Sequence, residues 1–100
     1  MYLSVQNQLT LLHDLLEDQL IYKTVSIEEY RQIKKIVQAI TTNEHIKGEL
    51  QAVLPEIYYY GIKGERAQSL LAHISEHEEK IKDWLAMINR VKLHVSSDII

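Results

Sequence analysis

His73, Ile74, Ser75, Glu76 and His77 stand in the order H-x-x-E-H. Two imidazoles four residues apart share one helix face and can hold one metal ion. A glutamate beside them can act as general base toward a metal-bound water, as in the zinc hydrolases that carry this order. That chemistry also needs a third protein ligand. The acids after His77 are Glu78, Glu79, Asp83 and Asp98, and the first three fall on the same helix within two turns. A chain of 100 residues has room for one core, but not for a core plus a cleft that seats an extended peptide. A protease is therefore rejected.

A metal site without hydrolysis is the stronger alternative. His73 and His77 would supply two ligands, and His13, at the edge of the first helix's stripe with Glu17 one turn on, a third. No E-x-x-H pair occurs, so the carboxylate-bridged di-iron pattern is missing. The favoured reading of His77 is structural: a polar spacer in an apolar seam, fixing register as a seam asparagine does. No cofactor is expected. No Ser/His/Asp set, phosphate-cradling glycine loop or basic aromatic stripe accompanies the histidines, and the chain is read as non-enzymatic.

The elements that would position these residues are all helical. Helix 1 is expected over Ser4 to Ile21, where Val5, Leu9, Leu12, Leu16 and Leu20 recur at spacings of three and four. Helix 2 follows "VSIEEY", in which Ser26 and Glu29 form a capping box and Val25 and Tyr30 a hydrophobic staple. Its buried face is Ile27, Tyr30, Ile33, Val37 and Ile40. Arg31, Lys34 and Lys35 should pair with Asp14, Glu17 and Asp18 of helix 1. Helix 3, capped by Thr42 or Asn43, should kink at Pro55 or split there. It should then end at Gly61, with Ile62 folding back on Ile57.

Tyr58, Tyr59 and Tyr60 point in directions about 100° apart, so at least one ring is expected at the surface as a partner anchor. Helix 4 starts near Glu65. Leu70, Ile74, His77, Ile81, Trp84, Ile88, Val91 and Val95 form an unbroken seam along it, with outer pairs Glu76–Lys80 and Glu78–Lys82. A helix of that length spans roughly 45 Å at 1.5 Å per residue, against about 25 Å for the others. The excess around Ile88, Val91 and Val95 is expected to pair with a second copy. The result is an all-α, four-helix antiparallel bundle with a kinked third helix and a long C-terminal helix.

Composition is consistent with one soluble domain over residues 1–100: 46% hydrophobic, 25% charged, with no cysteine. Disulfides and thiolate metal sites are excluded. A net charge of −3 argues against nucleic acid as a partner. No run approaches the roughly 18 apolar residues of a membrane span, and "MYLSVQNQLT" lacks the basic start of a secretory signal. The expected setting is cytoplasmic, and the expected partners are a second copy and another protein.

Four segments, "QLTLLHDLL", "TVSIEEYRQIKKIV", "EIYYYG" and "LLAHISEHEEKIKDWL", resemble the YtzH-like family of small proteins from Bacillus and its relatives. The resemblance covers roughly residues 7 to 90. It implies a bacterial cytosolic protein and brings no activity, substrate or site residue with it.

Overall fold

The computed structural model describes residues 4–23, 26–43, 46 and 48–98, with side chains as far as residue 92. Val25 and its staple, the side chain of Val95, and Ile99 and Ile100 lie outside the described residues. Five helices and no strand occur among those described: α1 (Val5–Tyr22), α2 (Ile27–Thr41), α3 (Glu49–Glu65), α4 (Leu70–Glu76) and α5 (Glu78–Asp98). The all-α expectation holds. The count of four does not, because the last expected helix is two.

α1 begins where Ser4 caps it, its hydroxyl accepting from the Asn7 backbone N–H at 3.1 Å. Leu9, Leu12, Leu15, Leu16 and Gln19 are buried along it. It ends at Lys23, in the left-handed region at φ 56°. The Lys23 ammonium pairs with the Glu78 carboxylate at the head of α5.

α2 buries Tyr30, Ile33, Val37 and Ile40, whereas Ile27 is exposed. The capping box is half formed. The Ser26 hydroxyl makes no cap bond, while the Glu29 carboxylate takes a backbone hydrogen bond from Ser26. Arg31 and Lys34 reach Glu65 on α3, Lys34 at 2.9 Å, and not the acids of α1, where Asp14 faces its neighbour His13.

α3 runs unbroken through Pro55. The proline removes the partner of the Gln51 carbonyl, and Gln51 is exposed, so water can satisfy it. Gly61 does not stop the helix, and Gly64 also lies within it. Their role is close approach. A Cβ at Gly61 would lie 2.7 Å from Cγ of Lys34, and one at Gly64 would lie 2.2 Å from the Tyr30 ring. α2 and α3 are thus in closer contact than ordinary side chains permit. Gly48, at φ 73°, precedes the helix, so neither Thr42 nor Asn43 caps it.

The seam expected to be continuous breaks at His77. α4 starts at Leu70, with Ser69 accepting from the Ala72 N–H at 3.1 Å, and ends at His77 with φ −111° and ψ 11°. There the backbone N–H of His77 bonds to the Ile74 carbonyl at 3.0 Å. The carbonyl it would serve in a regular helix, that of His73, takes the His77 ring nitrogen Nδ1 instead, at 2.7 Å. The side chain performs the backbone's task, and the axis can turn. Ile74 and Ile81 are fully buried on either side of the turn. Glu76 and Lys80 fall on different helices, and Lys80 pairs with Glu56 of α3 at 3.4 Å. Lys82 pairs with Glu79.

Candidate functional site

A cavity of about 360 Å³ lies between α3 and the α4–α5 joint at His77. Tyr59, Tyr60, His73, His77 and Trp84 line it, and charged side chains of Glu56, Lys63, Glu76 and Lys80 complete the lining. Tyr60 is 2% exposed and His73 7%. The Tyr60 and His73 rings stack at 4.7 Å between centres and 21° between planes. The two imidazoles are 4.4 Å apart and tilted by 44°. Trp84 and Tyr30 each meet Tyr60 edge-on at 5.5 Å.

Three hydrogen bonds order the polar atoms of this cluster. The Tyr60 hydroxyl donates to Oε1 of Gln19 at 2.7 Å. Nε2 of His73 bonds to the Tyr60 carbonyl at 3.2 Å. Burial first, then the neighbouring His77 ring, holds the His73 imidazole below its ordinary pKa. Burial likewise raises the Tyr60 phenol. The Tyr30 hydroxyl is buried without an aligned partner.

His73 and His77 are brought together as expected, and His13 is not with them. It groups with Asp14 and Glu17, ligand atoms within 4.8 Å of one another, on its own turn of α1. His45 and the side chain of His94 lie outside the described residues.

The expected partner surface divides. Tyr59 is 57% exposed, with the Lys63 ammonium 5.2 Å from its ring centre. Tyr58 is half-buried, its hydroxyl accepting from Nε2 of Gln38 at 3.2 Å. Tyr60 and Ile88 are buried in the core, and Val91 is partly buried against it. A second hollow, of about 580 Å³, runs between α2 and α3. Val37, Leu54 and Pro55 give it apolar walls, and Tyr58, Tyr59 and Thr41 also line it. The basic cluster of Arg31, Lys34 and Lys35 also contains Glu65, which pairs with Arg31 and Lys34.

Gln19 and the glycine pair were missed from sequence. Gln19 follows Leu12 and Leu16 at spacings of four and three, so a polar residue on an apolar stripe was the available signal. Gly61 and Gly64, one turn apart, carried the other.

Five helices among the described residues, with an aromatic-imidazole cavity at a helix joint and an apolar groove beside it, define a small all-α protein. The model of the family described as YtzH-like protein matches residues 3–88, and the chain belongs to that family. It is similar to the Bacillus subtilis (strain 168) protein named "Uncharacterized protein YtzH", 26% identical over 89 residues, covering 89% of this chain and 97% of that protein. No solved structure matches the chain. Among the described residues, no helix is long and apolar enough to cross a membrane.

Proposed function

We propose that this chain is a non-enzymatic, cytoplasmic interaction protein whose contact surface is the α2–α3 groove with Tyr58 and Tyr59. The groove itself carries the reading. It combines apolar walls from Val37, Leu54 and Pro55 with two tyrosine rings at one side. Aromatic anchors beside a desolvated pocket are where binding energy concentrates in protein interfaces. A second copy is one partner in this reading. In its support, α5 remains helical as far as Asp98, beyond Val91.

The test uses the full chain with Tyr59→Ala and Thr41→Arg, two exposed positions on the groove. Light scattering across a concentration series should show a dimer for the parent chain and a shift toward monomer for the variants, with unchanged helical circular dichroism. A parent chain that stays monomeric overturns self-association. A dimer indifferent to both substitutions overturns the groove as its contact surface.

A further inference from the structure

An imidazole makes a good metal ligand when one ring nitrogen is fixed by donating to a carbonyl or carboxylate and the other keeps a free lone pair. Both cavity histidines meet that condition. A carbonyl oxygen can only accept, so Nε2 of His73, bonded to the Tyr60 carbonyl, carries a hydrogen. For the same reason Nδ1 of His77, bonded to the His73 carbonyl, carries one. The lone pairs left are on Nδ1 of His73 and Nε2 of His77.

Two imidazoles sharing one tetrahedral ion, with metal–nitrogen bonds of about 2.0–2.1 Å, place their ring centres roughly 5 Å apart. The observed separation of 4.4 Å is shorter than this by less than an ångström, a gap that a small rotation of either ring closes, and both rings line the same cavity. We infer that this cavity binds one divalent borderline transition-metal ion, of the Zn²⁺ class, through His73 and His77, with a carboxylate from Glu56 or Glu76 as third ligand.

The donor set selects the class of ion. Mg²⁺ and Ca²⁺ prefer oxygen ligands throughout, and soft Cu(I) prefers sulfur, which a cysteine-free chain supplies only through methionine. Imidazole with one carboxylate suits Zn²⁺, Ni²⁺ and Cu²⁺. As the side chains now stand, no third carboxylate joins the two rings within 4.8 Å among the described residues. The third ligand therefore arrives by side-chain rotation. Glu76 is exposed and three residues from His73, a same-face neighbour on α4. Glu56 is exposed and held only by Lys80 at 3.4 Å, a surface pair that costs little to break.

This differs from the set proposed on sequence alone, in which His13 completed the shell. It does not rest on the groove, because none of its ligands lines that hollow.

The experiment is calorimetric titration of Zn²⁺ into full-length, metal-stripped protein purified without a histidine tag. Co²⁺ absorption in the visible range serves as a second readout of the ligand field. The expected result is one ion per chain. His77→Gln, whose amide can keep the bond to the His73 carbonyl, should weaken binding by at least about tenfold, as should His73→Asn. His13→Ala should leave it unchanged. The pair Glu56→Gln with Glu76→Gln should weaken it further and alter the Co²⁺ spectrum. No binding by the parent chain at a large excess of Zn²⁺ overturns the inference. So does binding lost in His13→Ala but retained in His77→Gln. Glutamate variants indistinguishable from the parent overturn the third ligand.

Discussion

The histidine cavity and the α2–α3 groove share α3 and even share Tyr59, which lines both, yet they are built in different ways. The groove is walled by aliphatic side chains and a proline, and its internal polar contacts are Gln38 with Tyr58 and the Thr41 hydroxyl with the Val37 carbonyl. The cavity is walled by rings whose polar atoms are tied to Gln19, to the Tyr60 carbonyl and to the His73 carbonyl. One hollow offers shape, the other a fixed donor set. Three consecutive tyrosines separate them: Tyr58 lies on the groove, Tyr60 within the core, and Tyr59 between. The same residue type at successive helix positions takes three roles because each 100° step of the helix meets a different neighbour.

The contrast is broken most strongly by Tyr60→Ala. It removes a buried ring that touches Tyr30, His73, His77 and Trp84 and frees Gln19. A loss of about 3–5 kcal/mol in urea unfolding is expected. Gly64→Ala comes next. Its methyl would meet the Tyr30 ring at 2.2 Å, and forced repacking of that kind costs about 1–3 kcal/mol, visible as a lower thermal midpoint. On the groove side, Tyr59→Ala should stay within about 0.5 kcal/mol of the parent in the same assay, as exposed positions do. If the Tyr59 and Tyr60 variants lose equal stability, the two hollows are not distinct.

A subtler difference is proton-linked. In the folded chain His73 binds its proton more weakly than the ordinary 6.5. Below that pH the unfolded chain holds more protons than the folded one, so stability rises with pH in this window. The contribution is complete above 6.5 and is lost as pH falls through the folded value. Glu29 acts oppositely lower down, since burial raises its carboxyl above 4.5. The measurement is therefore differential. Urea midpoints from neutral to mildly acidic pH should fall less in His73→Asn than in the parent, and parallel curves would remove His73 as the cause.

Helix type and the aliphatic core were legible in the sequence because Leu9, Leu12, Leu16, Ile33, Val37 and Ile40 repeat with the helical period, and the structure buries all of them. The glycines were misjudged. A glycine after an apolar run reads as a helix end, and the sequence does not reveal that Tyr30 of another helix fills the space its missing side chain leaves. The break at His77 was equally hidden. The heptad spacing continues across it without a flaw, since Ile74 and Ile81 are buried on both sides. What interrupts the helix is a hydrogen bond from a ring, which has no periodic signature. Of the candidate site, the His73–His77 pairing was legible from spacing alone. The displacement of His13 was not, because it depends on how α1 is rotated against α4.

The seven residues of α4 have a further consequence. A helix that short does not persist by its own hydrogen bonds, because nucleation costs more than so few turns return. It stands because α3 and α1 hold it and because Ser69 and His77 terminate it. Such segments open locally long before a fold melts. In hydrogen exchange, the amides of α4 should become labile ahead of those of α3. Because α4 carries His73 and Glu76, each opening takes one wall of the cavity with it. Access to the imidazoles would then be governed by the lifetime of this short helix.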